Sequence, residues 1–273
     1  MKIVMIIILL FYLLSTAAYV AYLFVQKNYM QQAGRCMLTV GFLLHSLIIG
    51  YGFVQSGHIP VRNLHETLIM AGWAIVCVFL VFQYKYRLKI LGIYAAPLSA
   101  LVLFIAYQMP GEPVLDQNLF NNFWLISHIV TIFIGEASFA LACGLGVLYL
   151  IQEHAIKAKN HGFFYRRLPS LELLDTTGYA SIVVGFTMLT VGLITGFVYA
   201  KSVWGRFWDW DPKEVWSGIT WLIYAALLHE RLTVGWRGRR SAILSIIGFA
   251  VLLFTFFGVN FFLKGHHGEF TRW

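Results

Sequence analysis

Trp204-Gly205-Arg206-Phe207-Trp208-Asp209-Trp210-Asp211-Pro212-Lys213-Glu214-Val215-Trp216 is a short island of rings and charges between two apolar runs, at 179–200 and 215–228. Four of the nine tryptophans fall within it, together with three acids and two bases. An aromatic belt at a membrane surface accounts for one or two such tryptophans. It does not account for Trp, Asp, Pro and Glu in one run. Indole faces at this density suit a large, flat, apolar ligand, and the interleaved charges suit that ligand's polar edge. The island is therefore the candidate site. Its apolar flanks decide the fold, because they make it a loop joining two membrane-spanning helices.

Working outward, the whole 273-residue chain is 59% hydrophobic and only 12% charged, against about 25% charged in soluble domains. This is the composition of an integral membrane protein. Runs that approach the roughly 20 residues needed to cross a bilayer occur at 3–24, 37–54, 67–82, 91–107, 123–151, 179–200, 215–228 and 242–263. The chain reads as all-α, a polytopic membrane protein of about eight transmembrane helices forming a single domain over 1–273. The first run is too long for a signal-peptide core and lacks a small-residue cleavage site. The longest loop, 154–177, is too short for a soluble domain. A net charge of +8 is expected of cytoplasmic loops, and no basic stripe lies on a soluble domain, so nucleic acid is set aside. Neither a P-loop nor a Gly-rich dinucleotide fingerprint is present. Cys36, Cys77 and Cys143 are odd in number and far apart, and read as small core residues. Without a Cys-x-x-Cys-His motif the chain does not carry its own covalent c-type haem.

Orientation follows from Lys and Arg. The loops after the first, third, fifth and seventh runs hold 13 of the 20, namely Lys27, Arg35, Lys85, Arg87, Lys89, Lys157, Lys159, Arg166, Arg167, Arg231, Arg237, Arg239 and Arg240. The tryptophan loop and both termini then face outward. On that topology the histidines sort by depth. His128 lies just over one turn into the fifth run and His267 just past the eighth, so two imidazoles share a membrane face with the tryptophans. Imidazole is a common axial ligand of haem iron, while an aromatic wall covers the porphyrin plane. His229 stands near the inner end of the seventh run, either beside the helix C-terminal dipole or as a ligand. His45, at mid-membrane, reads as a hydrogen-bonded core residue, with Glu136 as one partner within reach. His154 and His161 look solvated, and His58 and His65 lie in a supporting outer segment.

The run from Trp204 to Trp216 resembles the tryptophan-rich WWD signature of haem-handling proteins in cytochrome c biogenesis. Its continuation Asp211-Pro212-Lys213-Glu214 resembles the system II branch, the CcsA and ResC type with its chloroplast relatives. The resemblance extends in order through Gly57-His58-Ile59-Pro60, Asn63-Leu64-His65-Glu66, Trp124-Leu125 with His128, Thr220-Trp221 with His229 and Arg231, and Gly258-Val259-Asn260 with Gly265 and His267. Departures are Asp209 where Ser is common, Glu136 where Tyr is common, and His266-His267-Gly268 in place of Leu-His-Ser; the spacing from Gly265 favours His267 over His266.

The resemblance implies non-covalent haem b as substrate, with His128 and His267 on the iron and His229 at a second haem position. Trp204, Trp208, Trp210, Trp216, Asp211, Glu214 and Arg206 would form the surrounding surface, with Arg206 or Lys213 meeting the propionates. It also implies a CcsB- or ResB-type membrane partner, an apocytochrome c bearing Cys-x-x-Cys-His, a thiol-reducing protein, surrounding membrane lipid, and a place in the bacterial cytoplasmic membrane with the site facing the periplasm. The implied activity is haem presentation within a cytochrome c haem lyase. A second reading, from a HemX-like resemblance in size and helix layout, is an accessory or regulatory protein of haem biosynthesis.

Overall fold

The structure, a computed structural model, describes residues 2–57, 59–110, 122–159 and 162–259. All regular structure in them is helical: α1 Lys2–Val25, α2 Asn28–Ser56, α3 Leu64–Tyr86, α4 Gly92–Gln108, α5 Phe123–Lys157, the short α6 Phe163–Arg167, α7 Leu171–Trp204, α8 Pro212–Thr233 and α9 Arg239–Leu253. A π turn, Phe254–Gly258, continues α9. Each of the eight apolar runs forms a helix. Seven of the helices combine the length and apolarity of a membrane span. Besides the five-residue α6, the one that does not is α8, whose first turn holds Lys213 and Glu214 and whose last turns hold His229, Glu230 and Arg231. His267, His266, His58 and His161, with the last part of the eighth run, lie outside the described residues.

The helices outrun the apolar segments that announced them. With 34 residues, α7 is about 50 Å long at 1.5 Å per residue, against a hydrocarbon core of about 30 Å. Its extra turns take in both Glu172 and Trp204, so the long loop expected at 154–177 is largely helix. α5 runs antiparallel to α7 and forms the central pair of the bundle with it. Glycines set their separation: a Cβ on Gly185 would lie 2.6 Å from the Phe139 ring, and one on Gly192 2.6 Å from Ile132. Close approach through small residues substitutes in lipid for a hydrophobic drive between helices.

Two groups of helices flank this pair. On one side α1, α2, α3 and α4 share a core built on Ile8, Tyr12, Tyr19, Leu38, Phe79 and Leu103. His45 belongs there, hydrogen-bonded through Nδ1 to the Tyr12 hydroxyl at 3.0 Å, so it is the core histidine expected, with Tyr12 rather than Glu136 as its partner. On the other side α9 packs on α5 through Ser245 and Ala142. Tyr224 of α8 stacks on Phe139 of α5, with centroids 3.5 Å apart and planes 11° off parallel. Trp221 of α8 donates to Thr190 Oγ1 of α7 at 2.9 Å. These contacts fix α8 along the middle of the α5–α7 pair, which places the tryptophan loop over the ends of all three.

Candidate functional site

The tryptophan loop is shaped by its own charges. α7 stops at Trp204 because Gly205 takes a left-handed conformation, φ 74°, the usual helix terminator. α8 then starts with a capping box: the Asp211 side chain accepts from Lys213 N at 2.9 Å, and Glu214 Oε2 accepts from Asp209 N at 2.9 Å and Asp211 N at 3.3 Å. Pro212 occupies the first helical position, where its missing N–H costs nothing. Arg206 pairs with Asp209 at 2.6 Å. The acids expected at a ligand's polar edge thus hold the loop in shape, and the Asp-Pro-x-Glu spacing is the sequence signal that announces it. Glu214→Ala releases two backbone donors and is expected to lower stability by about 1 kcal/mol, read as earlier thermal unfolding in detergent; Glu214→Gln, which still caps, keeps most of the wild-type value.

The four indoles are not one flat shelf. Trp208 stands edge-on to Phe197 of α7, with centroids 5.6 Å apart, and to Trp210 at 88° and 5.7 Å. Trp216 packs on Phe254 of the π turn. Trp204 lines the cavity below the loop. Trp210 is 77% exposed and has φ 58°, a left-handed conformation that is uncommon outside glycine and is held where surrounding structure compels it. The Gly205 and Trp210 turns together carry the chain back from α7 to α8 in seven residues.

Beneath the loop a cavity of about 210 Å³ lies between α5, α7, α8, α9 and the start of α3. Its walls are mostly apolar, from Leu125, Ile129, Phe133, Leu193, Phe197 and Leu252, with His128, Glu136, Lys213, Glu214, Ser217 and Thr220 as the polar groups. His128 is held from behind. Its Nδ1 lies 2.7 Å from the carbonyl oxygen of Gly192; a carbonyl only accepts, so Nδ1 carries the proton and Nε2 carries the lone pair. This is the arrangement of a metal-binding imidazole, whose other ring nitrogen donates to a backbone carbonyl or carboxylate that fixes tautomer and orientation. A Cβ on Gly196 would fall 2.7 Å from Nδ1, so the ring fits only because position 196 is glycine. The Gly192-x-x-x-Gly196 spacing was the available signal for this seat, and reading the histidine alone passed over it.

Other expected residues fall elsewhere. His229 is exposed on α8, three turns beyond the cavity-lining Ser217 and about 18 Å along the helix, so the described chain does not bring it to His128. His65 is anchored by Nδ1 to Ala106 O at 2.7 Å next to Asn63, whose side chain caps α3. That block supports the rim of the cavity through Val61 and Thr67. Glu136, expected only as a companion of His45, faces the cavity instead.

The model of the cytochrome c assembly protein family matches residues 61–267, a span that contains the whole cavity and loop. The chain belongs to this family. Among other members, it is 33% identical over 246 residues to the cytochrome c biogenesis protein CcsA of Guillardia theta, covering 81% of this chain and 80% of that one. CcsA of Chlamydomonas reinhardtii is 35% identical over 247 residues, covering 85% and 67%, and CcsA of Prochlorococcus marinus strain MIT 9312 is 36% identical over 248, covering 82% and 80%. Among solved structures, the cytochrome c haem lyase CcmF superposes with a TM-score of 0.65 at 17% identity, over 98% of this chain and 47% of that chain. The assembly-protein fold is thus shared with about half of a longer protein. This cytochrome c assembly protein is a multi-helix membrane protein whose relatives serve cytochrome c biogenesis.

Proposed function

We propose that the protein holds haem b, non-covalently and as a substrate, at the tryptophan end of the bundle, and presents it for attachment to the Cys-x-x-Cys-His thiols of an apocytochrome c as part of a haem lyase. The observation that carries this is His128: an imidazole with its tautomer fixed by Gly192 O, its metal-binding nitrogen defined, and its ring on the wall of an apolar cavity under an aromatic loop. The residues fit the ligand in kind, with one seated imidazole, mostly apolar walls and a cation inside. His128 holds the iron from one side, with His267 as the second ligand. Trp204 and Trp208 cover the porphyrin face, and Arg206 or Lys213 meets the carboxylate edge. Asp211, Glu214 and Trp216 keep the loop and α8 in register. The chain contributes position and exclusion of water more than acid or base chemistry.

The exposed His229 belongs to a second haem position that a CcsB- or ResB-type partner completes, and a thiol-reducing protein keeps the acceptor cysteines ready. The protein acts in the bacterial cytoplasmic membrane, and the Lys and Arg distribution supports an orientation with both termini and the tryptophan loop on the outer side. A deletion strain is expected to lack mature c-type cytochromes, with recovery on expression of the wild type and none with His128→Ala. Normal c-type cytochromes together with altered levels of haem-synthesis enzymes would sink the proposal in favour of the HemX-like accessory role.

A further inference from the structure

Glu136 and Lys213 bring a carboxylate and an ammonium into the interior of the bundle, and both line the cavity below the tryptophan loop. Glu136 is two turns along α5 from His128, on the same helical face as the cavity-lining Ile132. Lys213 enters from the first turn of α8. Each is a charged neighbour of the other, yet among the described residues neither side chain makes a hydrogen bond or ion pair. Other acids of the bundle are matched directly: Asp175 by Arg231, and Glu153 by Lys157 and Arg239. Charges at membrane depth are costly when left unmatched and usually mark a functional site. Both charges border the same cavity, where a ligand group can lie beside them.

We propose that this pair is the carboxylate-recognising end of the cavity: Lys213 binds a carboxylate of the incoming ligand, and Glu136, its resident counter-charge, limits how tightly that carboxylate is held. The inference rests on the haem reading and deepens it, because it names the ligand class as a flat apolar body bearing a free carboxylate. A neutral apolar ligand would leave the Lys213 charge stranded against it, which is discrimination by an unsatisfied group. Glu136 keeps Lys213 neutralised before the ligand arrives and repels the carboxylate afterwards, so the anchor remains reversible, as a site that hands on its substrate requires. The backbone of Lys213 is fixed by Asp211 independently of its side chain, so Lys213→Met removes the charge and leaves the cap intact.

The test is equilibrium titration of the purified full-length protein, in detergent, with haem and with haem dimethyl ester, followed by absorbance. Wild type should bind haem more tightly than its ester. Lys213→Met should weaken haem about tenfold, the loss of one charge-assisted bond, with the ester changed less than about twofold, and Glu136→Gln should tighten haem several-fold with no effect on the ester. Equal weakening of both porphyrins by Lys213→Met, weaker haem binding in Glu136→Gln, or equal affinity of wild type for both porphyrins overturns the inference alone. No binding of either porphyrin by wild type overturns the haem reading and this inference with it.

Discussion

Replacing Asp175 with alanine is expected to destabilise the end of the molecule opposite the tryptophan loop by about 3 kcal/mol, the lower end of the range for breaking a buried ion pair from one side. Its carboxylate receives both terminal nitrogens of Arg231, at 3.0 and 2.7 Å, and the backbone N–H of Gly238 at 2.8 Å. The two side chains are 13% and 10% exposed, so solvent screening offsets little of the pairing. Arg231 also lies over the Tyr179 ring, 4.3 Å from its centroid. One carboxylate on α7 therefore ties down the end of α8 and the turn into α9. That turn depends on Gly238 at φ 68°, ψ −126°, a conformation open essentially to glycine alone. Without Asp175 the guanidinium keeps its charge and loses its anion. Denaturant unfolding in detergent reads the loss, and a change below about 0.5 kcal/mol, the size of an ordinary surface substitution, would show that the pair does not latch the helices.

The second large effect is expected at Gly196, a residue with no functional group. An alanine Cβ there would sit 2.7 Å from His128 Nδ1 and 2.9 Å from Cε1. Either the helices part or the imidazole moves. Gly135 and Gly185 hold α5 and α7 at backbone contact further along, where a Cβ on Gly135 would already be 3.1 Å from Gly185 O, so the ring yields. It then loses the 2.7 Å bond to Gly192 O and with it the fixed tautomer. Loss of such an outer partner costs about 10- to 100-fold in affinity at metal sites. Gly196→Ala is therefore expected to bind haem at least about tenfold more weakly than wild type, with helix content by circular dichroism unchanged. Gly218→Ala is the control, because its Cβ would meet only Trp208, at an ordinary 3.8 Å. Equal affinities in all three proteins would mean that position 196 does not seat the histidine.

The pattern of what the sequence disclosed has a physical basis. The eight apolar runs marked helices because hydropathy reports the part of each helix inside lipid. It is silent about the polar turns beyond, which is why α2 begins at Asn28 and α7 continues to Trp204. α8 was legible as a helix from its short apolar run at 215–228, although its charged first turn and histidine-bearing last turns keep it outside the ordinary profile of a span. At the site, the tryptophan density pointed to the loop that lies above the cavity. The acids within it suit a ligand's polar edge by composition, and their spacing gives them a second role: Asp211 and Glu214 stand three apart, as a capping box requires. His128 was legible by depth. What orients it is a backbone carbonyl 64 residues away, and a carbonyl leaves no mark in a sequence. The Tyr12 partner of His45 could not be told from Glu136 for a different reason: both are side chains of suitable chemistry inside apolar runs, and a sequence does not say which runs pack together.

The claim that His128 is one of the iron's two protein ligands is tested most directly by the visible spectrum of the purified protein loaded with haem, for wild type and for His128→Gly, with and without added imidazole. Wild type is expected to give a bis-histidine spectrum, His128→Gly to lose it for that of a single histidine ligand, and free imidazole entering the vacated space to restore it. A His128→Gly protein whose spectrum matches wild type before imidazole is added would contradict the account.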